Sequence, residues 1–452
     1  MALPNTLVWE VQTGGSDDNG GAFVSGGSGT DYSQQTSAQA TLTTASVVNS
    51  TTTIIDVDSG DYTCTDSDVD NVIKITGGTA TAGRYRIVSR SGQQWTLDRS
   101  AGTAGQTVVG NMGGCAATPG EVAGAMVSGN HVWIKSGTYT LSTSSANTSG
   151  GQYNPIVAGY TRGYATTRGD LGARPVLNAG TQINVSLWYT NVSSHTEPHK
   201  ISNVDADGNS QTGITGFLEH TNGRNPSFDR CAATGCVNGF SQAKTKNCRA
   251  YSNSGTGFIG SLMSEQCVSH DNSVGMTCAL DSKHYRYLAH DNTNQGANVT
   301  NRHVKFFSSA FIDNGNDGIE FGSDVGEAHD CIFYGNTGYG VGGSDSDTIL
   351  TNCAFGSNTA GAREFAPSFE VGGITLTADP FTDNANDDYT INNTAGGGAL
   401  LRAESTNWLG DYQTTNQDVG PIQHTESAGS GSNEPPTTTN VMITSPWLSA
   451  GY

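Results

Sequence analysis

Charged residues are scarce in this sequence, and basic residues are the scarcer of the two signs. Only 14% of the 452 residues are charged, and 41 acidic residues stand against 21 basic ones, which gives a net charge of −20. A chain this acidic repels a phosphate backbone, which argues against nucleic-acid binding. Glycine is abundant, with 60 residues, and apolar residues recur throughout the chain. The composition therefore indicates a folded protein with uncharged polar surfaces rather than a disordered one.

Long apolar runs are absent as well. No stretch approaches the roughly 18 consecutive apolar residues that a membrane span requires, so we expect no membrane-spanning helix. The N-terminal residues Met1–Thr6 lack the basic region and the apolar core of a secretory signal. We therefore expect synthesis in the cytoplasm without a signal peptide.

The chain has instead a repeat of about 22 residues between His199 and Phe365. Each copy has a small or apolar residue, a polar residue five positions later, and then a glycine followed by an apolar residue. The last three copies are spaced by 22 residues each. The polar position is asparagine in seven of the eight copies: Asn209 in the first, and then, after Cys236, the six consecutive ladder residues Asn253, Asn272, Asn292, Asn314, Asn336 and Asn358.

A repeat this short cannot bury its own apolar face, so each copy is predicted to be one coil of a solenoid. Equivalent residues then stack at the strand spacing of about 4.8 Å. We predict that the asparagines form a ladder, hydrogen-bonded to one another and to the turn, and that they take the left-handed conformation at a sharp corner. A leucine lattice is missing, and the glycine, serine and threonine content disfavours helical repeats. The predicted fold is all-β, a right-handed single-stranded parallel β-helix.

Nine cysteines are present, an odd number, and five of them occupy the first position of the repeat. Neighbouring copies would hold these side chains parallel, an orientation unsuited to a disulfide. We therefore predict free buried thiols, which is typical of a reducing compartment.

Four regions are expected along the chain. Residues 1–45 join the start of the β-helix, and residues 46–112 form a small all-β insert of about five short strands. Residues 113–424 form the β-helix, which begins with a short capping helix because Thr118 precedes Pro119 and Glu121. Residues 425–452 form a linker and an apolar tail.

These features resemble the right-handed parallel β-helix repeat proteins, the pectate-lyase-like superfamily, to which many bacteriophage tailspikes belong. The resemblance rests on the repeat, on the capping helix with the turn Ser136–Tyr139 behind it, and on segments after residue 370 that resemble closing coils. Pro421 departs from the family's closing strand. The resemblance implies a phage virion surface protein made in the host cytoplasm: a fibre, tailspike or head-decoration subunit that presents a rigid rod and binds host glycans. It equally accommodates a polysaccharide hydrolase or lyase on the same scaffold.

The densest acidic group supplies the candidate catalytic residues Asp317, Glu320 and Asp324. Enzymes that cleave glycans use paired carboxylates whose separation sets the reaction outcome. Acidic residues in a solenoid are also common because turns are solvated. Tyr285, Tyr334 and Tyr339 are the candidate glycan-binding residues, expected to cluster in one shallow groove, whereas Tyr287 is expected to point into the core.

Two further groups of residues in the sequence contain possible metal ligands. Asp17, Asp18 and Asn19 could supply oxygen ligands to Ca²⁺, but a turn explains them better because no third acidic residue lies at the required spacing. His270–Asn272 and His290–Asn292 repeat one coil apart and could bind a metal or act in acid–base catalysis, or they are merely repeated surface residues. We expect no cofactor and no metal.

The apolar tail predicts a partner. Trp447 and Leu448 lie behind a flexible linker, and an exposed apolar tag favours aggregation unless it is covered. We expect them to anchor a homo-oligomer, a trimer first of all, or to attach the protein to another virion protein. A tail that folds back onto the last coil is the alternative.

Overall fold

The computed structural model confirms a parallel β-helix with three faces and a small antiparallel barrel. The coils repeat in the order first, second and third face, and strands of successive coils pair in parallel. The structure describes residues 3–48, 53–141, 159–190, 199–219, 227–322, 326–343, 347–402 and 418–421.

The first face begins with the N-terminal strand of the chain. Leu7–Val11 pairs in parallel with His131–Lys135 across the whole insert, and Ala22–Val24 pairs with it from the other side in antiparallel fashion. The first face then continues with Tyr160–Tyr164, Lys200–Ser202, Ser227–Asp229, Lys244–Lys246, the ends of Thr256–Glu265 and Val274–Tyr285, Val304–Phe307, Gly326–His329, Ile349–Thr351 and Phe369–Val371.

The other two faces are stacks of the same kind. The second face contains Gly137–Thr140, Pro175–Asn178, Asp205–Asp207, Ala232–Thr234, Arg249–Tyr251, Val268–His270, Leu288–His290, Ala310–Ile312, Ile332–Tyr334, Ala354–Gly356 and Ile374–Thr375. The third contains Ser186–Thr190, Thr215–Glu219, Asn238–Ser241, the beginnings of Thr256–Glu265 and Val274–Tyr285, Ala297–Val299, Ile319–Phe321, Tyr339–Gly343 and Gly361–Arg363.

Left-handed residues make the sharp corners of the coils, but they are not the ladder asparagines. Between the second and third faces, the residue before each asparagine has the positive φ, for example Asp271 at 54° and Asp313 at 50°. The prediction that the asparagines themselves adopt this conformation is therefore wrong. The reason is that the asparagine side chain is needed inside the coil, whereas its neighbour makes the turn.

The interior is filled by columns of like residues. On the third face, Phe217, Phe240 and Phe258 stack with centroids 4.8 and 5.1 Å apart. On the second face, small residues such as Ala250 and Ala289 face the interior in the middle coils, whereas phenylalanines replace them from Phe311 onward. All nine cysteines are free and buried, which confirms that prediction. In the middle coils, large third-face side chains thus lie opposite small second-face side chains. The second face supplies the large side chains in the later coils, so the core stays filled.

The insert is a closed antiparallel barrel of six strands, where about five were expected. It begins at Ala40, earlier than residue 46, because the first strand crosses that boundary. Its strands are Ala40–Val47, Ile54–Asp56, Val72–Gly78, Gly83–Ser91, Gln94–Leu97 and Thr107–Met112. Trp95 is fully buried among the apolar residues of the barrel. The barrel therefore has a hydrophobic core of its own.

The α-helix Pro119–Ala125 caps the first coil as predicted. The Thr118 hydroxyl accepts a hydrogen bond from the Glu121 amide at 3.4 Å, and Val122 packs into the β-helix core. Glu121 forms ion pairs of 2.8 Å with Lys74 and Arg84 of the barrel, which fixes the insert against the helix. Burial alone would raise the pKa of Glu121, but the hydrogen bonds and charges of these two cations lower it.

The described residues after 376, namely 377–402 and 418–421, add no further coil, which corrects the expectation of closing coils for that part of the chain. Phe381–Asp383 and Asp388–Ile391 form an antiparallel hairpin that packs on the outer side of the second face. In the later coils, the outward-facing residues of the second face, among them Leu288 and Ile332, are apolar and are buried beneath the hairpin. Short 3₁₀ helices lie at Tyr32–Gln34, Asp66–Asp68, Asn384–Asn386 and Gly398–Leu400. Within the described ranges, no helix is both long and apolar enough to cross a membrane.

Candidate functional site

The six asparagines form one column, buried in all but its last member, Asn358, which is half-buried. Each Nδ2 group donates to the Oδ1 atom of the asparagine in the next coil, over 2.8 to 3.1 Å from Asn253 to Asn358. The same Oδ1 atom also accepts the backbone N–H of the preceding asparagine, and Nδ2 donates to a backbone carbonyl of the preceding coil. A column of third-face glycines lies against it: a Cβ atom at Gly296 would come within 2.9 Å of Asn314 Nδ2. The column is structural, since every polar atom in it has a partner.

Asp317 and Glu320 lie together on the third face, on the same coil. Between them Gly318 and Ile319 face the interior, so the two carboxylates lie on the outer side of adjacent columns. Gln295, one coil earlier, donates a hydrogen bond to Glu320. Asp324, the third predicted member, lies outside the described residues.

The Asp317 carboxylate is held by the next coil. It accepts the backbone N–H of Tyr339 over 2.7 Å, and its side chain is only 7% exposed. Two glycines leave the space that it occupies: a Cβ atom at Gly338 or Gly342 would come within 2.3 or 2.2 Å of its oxygens. The carboxylate position is therefore set by backbone geometry and does not depend on a flexible partner.

The surroundings of Asp317 raise the pKa of its carboxyl group. Burial raises the pKa of Asp317, and the nearby negative charges of Glu320 and Glu364 raise it further, against the lowering effect of the Tyr339 amide. Glu364 itself accepts the Gly343 amide at 2.8 Å. A carboxyl group with a raised pKa is a suitable proton donor, and a neighbouring ionised carboxylate is a suitable base or nucleophile.

The three predicted tyrosines do not cluster, because one lies on each face. Tyr285 is half-buried on the first face, and Tyr339 is half-buried on the third face above Asp317. Tyr334 is buried on the second face beneath Phe381, with ring centroids 5.8 Å apart, so it cannot contact a surface ligand. The single-groove prediction is therefore wrong. Tyr287 points into the core as predicted.

The repeated histidines stack on one another at the corner after the second face. The ring centroids of His270 and His290 are 4.8 Å apart and the rings are nearly parallel. The Tyr389 hydroxyl, on the hairpin formed by Phe381–Asp383 and Asp388–Ile391, forms a 3.0 Å hydrogen bond with His290 Nδ1. Asp291 lies 2.8 Å from the same nitrogen, and Asp387 lies 3.8 Å from it. His290, Asp291 and Asp387 are close enough to share a metal ion. Their present contacts, however, attach the hairpin to the coils.

The Asp17 carboxylate does not form a free ligand set for Ca²⁺. It accepts the backbone N–H groups of Ala117 and Thr118 at 3.0 and 2.9 Å and the Thr118 hydroxyl at 2.9 Å. Asp17 thus fixes the start of the capping helix, which explains the turn better than a metal site does.

Sequence reasoning missed Glu219, a buried glutamate at the end of a third-face strand. Its side chain is 3% exposed, and neither carboxylate oxygen has a hydrogen-bond partner. Burial raises its pKa to about 8, against the lowering effect of the Lys244 charge. Glu219 lies within the repeat region but at none of the positions that define the repeat pattern, so the spacing of the repeat could not have indicated it.

No family model and no curated protein matches this sequence. Solved structures do resemble it in fold. The A-module of the Azotobacter vinelandii mannuronan C-5 epimerase AlgE4 is 15% identical, with 57% of this chain and 76% of that chain covered and a TM-score of 0.43. The periplasmic alginate epimerase AlgG is 12% identical over 55% and 69% of the two chains, with a TM-score of 0.32. Tailspike protein 3 of bacteriophage CBA120 is 10% identical over 57% and 58%, with a TM-score of 0.33.

The strand pairing by itself shows that the chain is a parallel β-helix protein, the fold expected from its resemblance to the pectate-lyase-like proteins. At these identities the likeness concerns the fold alone, and a fold of this kind serves many activities.

Proposed function

We propose that the protein binds a polysaccharide along the third face and cleaves a glycosidic bond there with Asp317 and Glu320. The observation that carries the proposal is the pair itself: two carboxylates on one coil, one of which has its pKa raised by burial and by the charge of the other. In this proposal protonated Asp317 donates its proton to the leaving oxygen. Glu320 then serves as the base for water or as the nucleophile.

The surrounding residues suit an extended sugar chain. Tyr339 offers a half-buried ring beside the carboxylates, and Asn298 lies next to Glu320 in the preceding coil. Tyrosine rings stack on the apolar side of a sugar, while amide groups bond its hydroxyls. Gln295 holds Glu320 through a hydrogen bond, which limits the rotamers available to the carboxylate.

The test is depolymerisation of purified capsular and lipopolysaccharide glycans by the whole protein. Asp317→Asn and Glu320→Gln should each lower the rate by about 100-fold or more, because acid–base groups typically contribute that much. Asp66→Asn, at an exposed position of the barrel, is the matched control and should keep the full rate. Equal rates for all four proteins would refute the catalytic assignment.

A second candidate is a virion surface protein that binds a glycan without cleaving it, as a fibre, tailspike or head-decoration subunit. It is supported by the bond from the Tyr339 amide to Asp317, which ties two coils together and by itself gives that carboxylate a structural role. Glycan-array binding with no depolymerisation would favour this candidate. In both cases we propose that the chain forms a homo-oligomer, a trimer first of all, or attaches to another virion protein through Trp447 and Leu448, which lie outside the described residues. Light scattering would give the mass of the assembly.

A further inference from the structure

The hairpin 381–391 brings a carboxylate and a phenol to the corner that holds the second of the repeated histidines. His290 ends its second-face strand, and Asp291 follows it at the corner. Asp387 lies in the hairpin turn, and Tyr389 follows 99 residues after His290 in the chain. The imidazole is only 5% exposed, whereas both carboxylates are open to solvent. The repeat places the first two residues side by side, and only the folded hairpin adds the other two.

Four potential ligand atoms meet at this junction. His290 Nδ1 lies 2.8 Å from an oxygen of Asp291, 3.8 Å from an oxygen of Asp387 and 3.0 Å from the Tyr389 hydroxyl. The same hydroxyl lies 3.5 Å from the Asp291 oxygen and 3.1 Å from the Asp387 oxygen. A tetrahedral zinc ion with bonds of about 2.0–2.2 Å holds its ligand atoms about 3.3–3.6 Å apart. All five distances lie within about 0.5 Å of that range, so small side-chain rotations would bring the four atoms onto one ion.

The surroundings of these atoms are rich in negative charge and contain an unused oxygen. Among the described residues, no lysine or arginine forms an ion pair with Asp291, Asp387 or the neighbouring Asp313. Burial raises the pKa of Asp313, and the charge of Asp291 raises it further, against a hydrogen bond of 2.7 Å from Asn384 Nδ2. Asn384 Oδ1, in the same hairpin turn, is buried and accepts no hydrogen bond from a described residue. A buried acceptor without a donor, next to carboxylates without a basic partner, is what a bound cation explains.

We propose that His290, Asp291, Asp387 and Tyr389 bind a zinc ion that fastens the hairpin to the coils. His290 Nδ1 and one oxygen of each aspartate are the ligands, and the Tyr389 hydroxyl takes the fourth position. An imidazole ligand suits zinc, whereas calcium and magnesium take oxygen ligands alone. The 2.8 Å contact between Nδ1 and Asp291 holds a proton, which zinc displaces to solvent. The ion would thereby keep the hairpin in place over the apolar outer side of the second face.

The test is a calorimetric titration of the whole protein with zinc chloride, after treatment with a chelator and dialysis. Wild-type protein should bind one zinc ion per chain, and Co²⁺ in its place should give the intense visible absorption of tetrahedral coordination. At free zinc of about 100 times Kd, the unfolding constant should fall about 100-fold, measured as a higher melting temperature, and limited proteolysis of the hairpin should slow. Asp387→Asn removes the hairpin carboxylate but keeps an oxygen for the Tyr389 hydroxyl, and it should weaken zinc binding at least about tenfold.

The preceding coil supplies the matched control. His270 and Asp271 repeat the same 2.8 Å contact, but among the described residues no third ligand joins them, so Asp271→Asn should bind zinc as tightly as the wild type. Asp291→Asn is a second site variant and should lose affinity as Asp387→Asn does, which keeps the test valid if one of the two fails to fold. No zinc binding by the wild type, an octahedral cobalt spectrum or tighter binding of Ca²⁺ would each overturn the proposal. So would an unchanged affinity in the site variants or an equal loss in Asp271→Asn.

Discussion

The asparagine column allows a stability prediction worked out bond by bond. Asn314 is fully buried, and its side chain takes part in four hydrogen bonds: Oδ1 accepts the Nδ2 and N–H groups of Asn292, and Nδ2 donates to Asn336 Oδ1 and to Ala289 O. Asn314→Leu keeps the size of the side chain and removes all four bonds. Asn336 Oδ1 keeps one donor, the backbone N–H of residue 314.

The loss in the free energy of unfolding follows from the hydrogen-bond donors that Asn314→Leu leaves unpaired. Two donors of Asn292, its backbone N–H and one Nδ2 hydrogen, stay buried without an acceptor. Each unsatisfied group costs about 1–3 kcal/mol, so the free energy of unfolding should fall by about 2–6 kcal/mol. Asn294→Leu is the matched control, because Asn294 is exposed and its Nδ2 group bonds only to the exposed Ser273 hydroxyl. A surface change of that kind alters stability by about 0.5 kcal/mol or less.

Urea unfolding followed by far-ultraviolet circular dichroism measures the loss, and hydrogen exchange of the peptide that contains Asn292 locates it. Exchange should accelerate at the coils on either side of residue 314 and stay unchanged in the barrel. A loss below about 1 kcal/mol, or one equal to that of Asn294→Leu, would refute the claim that the column stabilises the coils through its hydrogen bonds.

Three further predictions concern other parts of the chain. Burial raises the pKa of Glu219 from 4.5 to about 8, so the folded state holds the proton more tightly. The contribution of protonated Glu219 to stability should be complete below about pH 4.5 and should be lost as the pH rises to about 8, and Glu219→Gln should remove this part of the pH dependence of the melting temperature. Phe381→Ala should cost about 3–5 kcal/mol and free the closing hairpin to limited proteolysis, since Phe381 is 3% exposed. Deletion of residues 426–452 should leave the protein folded but abolish its oligomers in light scattering; lower thermal stability with an unchanged mass would instead mean that the tail caps its own chain.

The period of the repeat determined how much of the fold could be predicted. One asparagine per coil, at spacings that settle at 22 residues, indicates stacked coils because only stacking places identical residues within hydrogen-bond distance. The helix cap at Thr118 was equally local, since it depends on residues within one turn. The barrel was harder, because its strands pair across turns of varied length and leave no period.

The site was less accessible to prediction than the fold. Asp317 and Glu320 both point outward on the third face because the two residues between them point inward. This arrangement departs from the simple alternation of a strand, so it can be recognised only once the position of the corner is known. Tyr334 occupies an outward position, yet it is buried because the hairpin 381–391 packs on it from far along the sequence. Spacing within one repeat predicts the direction of a side chain but not what covers it.

The corner geometry also determines how a chain of this kind changes length in evolution. In each coil of the column a left-handed residue (aspartate, glycine or serine) comes directly before the ladder asparagine. Loss of the 22 residues from Asn292 to Asp313 would therefore join Asp291 directly to Asn314. Each remaining coil would keep its corner and its place in the hydrogen-bonded column. Loss of one or two residues would keep the column only if the strands and corners stayed in register, as they do in the coils of 19 and 20 residues between Asn253 and Asn292. Gene duplication and deletion are thus tolerated in steps of a whole coil, and the length of the rod can vary between descendants while its cross-section stays the same.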